Sequence, residues 1–251
     1  MKKLFDCAMD IGEQMLISGG EVHRVEDSLR RILCACGAKR VDVFIITSSM
    51  VVTIQTCGGE SFTRTRRITD TSSDYERLHR LNSLSRRICS EKLSAEDIRR
   101  ELDDILASKS CPLWLEFICY AVLASAFSLF FGGGVYDAVS AFVIGLAVRG
   151  MIFLSDKTVN NKIFAKFFAS FAATALANLS LYIDIIPTVD NVITGAIMTL
   201  VPGIGLTNAV RDLFVGDSIA GLLRTIEACI IALAIAAGYF LFSFLTGGAA
   251  S

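Results

Sequence analysis

At about residue 112 this chain changes solvent, and no other feature limits its fold as strongly. Residues 1–112 hold 35 of its 49 charged side chains. From Leu113 onward, apolar runs follow one another almost to the C-terminus. A helix needs roughly 20 apolar residues to cross a bilayer core, and about five such runs are available. The sequence therefore predicts an integral membrane α-helical bundle of about five transmembrane helices over 113–251. A small cytoplasmic α+β domain over 1–112 precedes it.

Charge in the front half is balanced, 18 Lys and Arg against 17 Asp and Glu. The two signs are interleaved, which leaves no basic stripe for nucleic acid. Asp6 and Asp10 interrupt the N-terminal apolar run, so the opening residues do not read as a signal peptide. Of eight cysteines, seven lie at or before Cys119, and none forms a Cys-x-x-Cys pair. Cys34-Ala35-Cys36 is too close for a zinc knuckle. Reduced thiols in a cytosolic domain are the better reading, with no metal and no cofactor expected.

Leu4, Ala8, Ile11 and Met15 mark one face of a first helix. Ser18-Gly19-Gly20 breaks it, and Val22, Val25, Leu29, Ile32 and Leu33 resume the helical period until Gly37. Strands are predicted over 41–47, 50–57 and 60–67, the last two joined by a two-residue turn at Gly58-Gly59. Tyr75, Leu78, Leu81, Leu84 and Ile88 mark a third helix. Ser94-x-x-Asp97 resembles a capping box that opens a fourth. The order is ααβββαα. His23 and Asp27 stand four apart on one helix, but no third metal ligand accompanies them. Arg64, Arg66 and Arg67 read as the wet face of an edge strand.

The membrane spans are placed at 113–131, 135–154, 163–182, 189–210 and 219–245. The connections at 132–136 and 183–188 carry no Lys or Arg. Those around 155–162 and 211–218 carry Lys157, Lys162 and Arg211, flanked by Arg149 and Arg224. The positive-inside rule then puts the N-terminus and the soluble domain in the cytoplasm and the C-terminus outside. Ala169, Ala173 and Ala177, and likewise Ala234 and Gly238, are small residues at helical spacing that allow close helix approach.

The fourth span holds the candidate site. Pro202 and Gly203 interrupt an apolar segment, removing a backbone donor and adding freedom. A break of this kind cannot face lipid, because its polar backbone would be stranded there. Broken helices build substrate sites in secondary transporters. Thr207, Asn208, Arg211 and Asp212 follow the break, the last three within one helical turn. Pro202, Gly203, Thr207, Asn208, Arg211 and Asp212 are thus candidates for binding and translocation. Glu227, at the head of an apolar run, joins Asp212 as a candidate proton or ion carrier. Glu116 stands close enough to the start of its span to reach the interface.

Gly20-Glu21-Val22-x-Arg24-Val25-Glu26 resembles the opening signature of the threonine/serine exporter family. Pro202-Gly203-x-x-Leu206-Thr207-Asn208-Ala209-x-Arg211-Asp212, followed by Gly216-Asp217 and Gly221, resembles its second motif. The resemblance runs over essentially the whole chain and marks Glu21, Arg24 and Glu26 as a cytoplasmic signature. Long members of that family carry about ten spans, while split members divide into a larger domain-bearing subunit and a smaller membrane subunit. With five spans, this chain resembles the larger half of the split form.

That resemblance implies a subunit of a secondary transporter in the cytoplasmic (inner) membrane, not an enzyme. Its substrates would be small amino acids such as threonine and serine, or small carboxylates such as succinate. Its partners would be a small membrane subunit, the bilayer and a further copy of itself. No Walker-type loop is present to hydrolyse ATP. The alternative is a membrane-tethered sensor whose cytoplasmic domain binds a metabolite. One span would suffice for that, and five with a broken helix argue against it.

Overall fold

The computed structural model describes residues 1–69, 72–91, 93–108, 111–158, 161–187 and 189–247. It divides into two compact units, Met1–Ser110 with Thr207–Thr225, and Cys111–Leu206 with Ile226–Ser251.

The first unit opens with α1 (Lys2–Ile17) and α2 (Val22–Ala35). The antiparallel sheet β1 (Ala38–Ile46), β2 (Ser49–Thr56) and β3 (Ser61–Arg67) follows, in that spatial order. Helices α3 (Tyr75–Glu91) and α4 (Ala95–Ala107) complete the ααβββαα order read from the sequence. Met50, Val52 and Ile54 alternate along β2 and are fully buried, as a sheet with one dry face requires. They meet Phe5, Met9, Ile11 and Met15 of α1 and Leu29 and Ile32 of α2 in one core. Ser94 caps α4 by accepting from the Asp97 amide at 3.2 Å.

The hairpin between β2 and β3 differs from expectation. Thr56 donates its amide to Glu60 and accepts from Gly59 at 3.1 Å, which leaves a three-residue loop. Gly59 stands at φ +85°, the left-handed position that such a loop needs. The two-residue connection lies instead at Thr47-Ser48, where Ile46 pairs with Ser49. Arg64 and Arg66 are not simply a wet face. They pair with Asp6 at 3.1 Å and Asp10 at 3.0 Å of α1, pinning β3 to that helix.

The second unit holds α5 (Leu113–Phe130), α6 (Val135–Thr158), α7 (Lys162–Tyr182) and α8 (Asp190–Met198). Two further helices, α9 (Gly203–Val215) and α10 (Ser218–Leu245), pass between the two groups of residues. Among the described residues, four helices are long and apolar enough to cross a membrane. A fifth span results if α8 and α9, bent by 56°, count as one. The alanine stripe Ala169, Ala173 and Ala177 is fully buried against Ala141, Ile144 and Val148 of α6 and neighbouring side chains. Ser170 donates to the Ile235 carbonyl at 2.7 Å, which ties α7 to α10. Small side chains permit that approach, where dispersion contacts replace the absent hydrophobic drive.

On sequence, everything from 113 onward reads as one membrane domain, but residues 207–225 group with the N-terminal unit. Ala220, 2% exposed, completes the core built by α1 to α4 and the sheet. Hydropathy could not reveal this, because Ala220 is equally at home in lipid and in a protein core.

Candidate functional site

Among the described residues, one polar constellation in each unit bears on the positions marked by the sequence. In the first unit the N-terminal signature meets the far motif. Arg211 of α9 donates through Nη1 to Glu21 Oε1 at 2.9 Å. Arg224 of α10 donates to the Gly20 carbonyl at 2.9 Å and stands 3.3 Å from Asp212 Oδ2. That oxygen is buried and makes no hydrogen bond among the described residues, so its contact with Arg224 there is an ion pair. Gly221 lets α10 lie against α9, since a Cβ there would meet the Ala209 carbonyl at 2.9 Å.

The two ion pairs differ in weight. The Arg211 side chain is 59% exposed, and such pairs contribute roughly 0–1 kcal/mol. The Asp212 side chain is 2% exposed and that of Arg224 16%, and breaking a buried pair costs about 3–5 kcal/mol. Asp212 and Arg224 hold this region together, whereas Arg211 is cheap to release.

Glu26 of α2 accepts the Ile45 amide at 3.0 Å, joining the helix to β1. Burial pushes its carboxyl above the ordinary range and the charge of Asp217 adds to this, while the Ile45 amide pulls the other way. One oxygen of Asp217 is itself buried without a hydrogen bond among the described residues. Arg24, the remaining signature residue, is exposed on α2. Asp27 is engaged by Arg31 at 2.9 Å, and among the described residues no three potential ligands group around a metal position.

In the second unit the break is built around Pro202. Helix α8 ends at Met198, and α9 begins at Gly203, just after the proline, where a missing amide does least harm. Lys166 of α7 donates through Nζ to the Leu200 carbonyl at 3.0 Å, satisfying an acceptor within the break. An open groove of about 270 Å³ runs along α8, lined by Asp190, Ile193, Thr194, Ile197, Met198, Val201 and Tyr239. Between α5 and α6, Arg149 of α6 donates through Nε to Glu116 Oε2 of α5 at 2.9 Å, and Nη2 bonds the same oxygen. Glu116, in the first turn of α5, is held by Arg149, which lies on α6 and is 9% exposed.

Of the residues singled out on sequence, Glu21, Arg211 and Asp212 are thus brought together with Arg224. Thr207 and Asn208 lie on the same helix as Arg211. Pro202 and Gly203 form the break itself. Glu227 is exposed on α10 with no hydrogen bond or ion pair among the described residues. Lys166 was missed, although a lone lysine within Phe164-Ala165-Lys166-Phe167-Phe168 is the signal that marks such residues.

A family model described as "Putative threonine/serine exporter" matches residues 6–245. The "Probable succinate transporter subunit YjjP" of Klebsiella aerogenes is 25% identical over 229 residues, covering 89% of this chain and 86% of that protein. "Pheromone-regulated membrane protein 10" of Kluyveromyces lactis is 24% identical over 247 residues, 93% of this chain. An uncharacterised protein of Schizosaccharomyces pombe is 28% identical over 186 residues, 70% of this chain. The chain spans only 25% and 22% of the length of these two fungal relatives. No solved structure matches the chain.

Proposed function

The chain belongs to the threonine/serine exporter family, and on that premise we propose that it is the larger subunit of a two-part secondary exporter. Its cargo is a small amino acid such as threonine or serine, or a small carboxylate such as succinate. A smaller membrane subunit completes it in the cytoplasmic membrane. The N-terminal unit is cytoplasmic and the C-terminus lies outside. The name of the bacterial relative, a transporter subunit, supports the division of labour.

The broken fourth span carries this reading. A proline break whose free carbonyl is held by a lysine from another helix is a hinge with a defined latch. Half-helices on either side of such a break can tilt independently and open a path alternately to each face. Arg211 takes the substrate carboxylate in exchange for Glu21, and Thr207 and Asn208 hydrogen-bond the remaining polar groups. Asp212 and Glu227 are the candidate proton carriers, Glu227 the freer of the two.

The test is uptake of labelled serine, threonine and succinate into inverted vesicles holding this chain, the small subunit, or both. Flux of at least one substrate with both subunits present, and none with either alone, is the expected result. Transport by the single chain would end the two-part reading. Absence of flux for all three substrates with both subunits present would end the exporter reading.

A further inference from the structure

The groove along α8 is built on one helical face. Asp190, Ile193, Thr194, Ile197 and Met198 stand at i, i+3, i+4, i+7 and i+8, and Val201 continues the line to the break. Tyr239 of α10 is the remaining lining residue. From Asp190 to Val201 the groove runs roughly 16 Å at the 1.5 Å rise of a helix, yet it holds only about 270 Å³. It is long and narrow. A compact solute such as serine or succinate would fill a short part of it, whereas a row of side chains from a helix laid alongside would fill it from end to end.

The polar groups of the groove have no partners. The Asp190 carboxylate and the Thr194 and Tyr239 hydroxyls make no hydrogen bond or ion pair among the described residues. Thr194 is exposed midway along α8, where bilayer tails offer its hydroxyl nothing. Exposed side chains of α6 differ. Val139, Val143 and Leu154 present only carbon, and lipid covers such a surface as well as protein does. The groove instead combines apolar walls with unmet polar groups, and the one charge among its lining residues, Asp190, is negative.

We infer that this groove seats one transmembrane helix of the small membrane subunit, with a Lys or Arg of that helix paired to Asp190. A carboxylate against apolar surfaces is retained where an opposite charge neutralises it, and the partner helix supplies that charge. A hydroxyl or amide of the same helix bonds Thr194 and Tyr239, as polar side chains do between membrane helices. Because the groove ends at Val201, beside Pro202, a helix seated there braces α8 up to the break that serves the exporter as its hinge. The inference rests on the two-part reading and names the surface through which the parts meet.

The tagged full chain is co-expressed with the small membrane subunit of the flux experiment. A photoreactive side chain is placed in turn at Thr194, at Met198 and, as control, at Val139, and the membranes are irradiated. Adducts with the small subunit from Thr194 and Met198, and none from Val139, are expected. Adducts with lipid alone, or with a second copy of this chain, overturn the inference. Recovery of the small subunit on the tagged chain is then compared for wild type, Thr194→Trp, Asp190→Asn, Asp190→Lys and Val139→Trp, with folding followed by circular dichroism and size exclusion. Thr194→Trp fills the groove and Asp190→Lys reverses its charge, and each should cut recovery about tenfold or more. Asp190→Asn should cut it severalfold, and Val139→Trp should match wild type. Wild-type recovery by folded Thr194→Trp and Asp190→Lys overturns the seat, and the photoreactive arm decides even where a variant fails to fold. The two claims separate cleanly. Complex and flux that survive the groove variants remove the seat but leave the two-part exporter. A wild-type chain that transports alone and recovers no small subunit removes the two-part reading itself.

Discussion

Arg211 and Glu21, 190 positions apart in the chain, are joined by a 2.9 Å hydrogen bond between Nη1 and Oε1. The bond links the two motifs that carry the family resemblance, one at the head of α2 and one in α9. With its Arg211 side chain 59% exposed, the pair adds little to stability, roughly 0–1 kcal/mol, and the proposed function gives Arg211 the substrate carboxylate instead.

Arg211→Ala should therefore leave membrane abundance and melting temperature nearly unchanged while export is lost. Arg211→Lys should recover only part of it, because an ammonium cannot reproduce a planar fork. Export and abundance measured side by side decide the matter. Near-normal export by the lysine variant would reduce Arg211 to a helix-end anchor.

Asp212→Ala or Arg224→Ala should behave differently. Each leaves a buried charge without its partner and should cost about 3–5 kcal/mol. Thermal unfolding of the purified protein should show a clear fall, and the pair Asp212→Ala/Arg224→Ala should be milder than the sum of the two. A strictly additive double variant would mean that the two side chains do not interact.

Glu26 gives the N-terminal unit a pH dependence. Its folded carboxyl titrates above the ordinary value of 4.5 because burial penalises the charge. The folded state then holds its proton longer than the unfolded chain does. Stability falls as pH rises from that ordinary value through the raised one, and above both the full penalty is present. Glu26→Gln keeps an acceptor for the Ile45 amide and removes the charge. The variant should melt higher than wild type at neutral pH, and the difference should vanish below pH ~4. An equal difference at both pH values would place the effect elsewhere.

Topology has a direct reading. A reporter fused after Ser251 should respond from outside, and one inserted at Lys157 from the cytoplasm, because Lys- and Arg-bearing connections alternate with bare ones. Both reporters on one side would overturn the five-span arrangement.

Several features were legible in the sequence because they depend on neighbours along the chain. The change of solvent near residue 112, the ααβββαα order, the Ser94 cap and the break at Pro202 all follow from local hydropathy, periodicity and backbone chemistry. Partnership among charges was not legible. Nothing in the residues around Arg149 distinguishes a loop-flanking cation from one buried against Glu116. Nothing around Lys166 names the Leu200 carbonyl as its acceptor. Ala220 carries no mark that assigns it to the N-terminal core, and Asp212 none that assigns it to Arg224. Hydropathy records how much a side chain prefers to leave water, but not which surface receives it. A charge attracts every opposite charge along the chain, and only packing brings one of them within 3 Å and excludes the water that would otherwise screen the pair. The sequence determined where this chain becomes apolar enough to span a membrane and where its helix breaks. The tertiary structure alone decided which charges face one another across those helices.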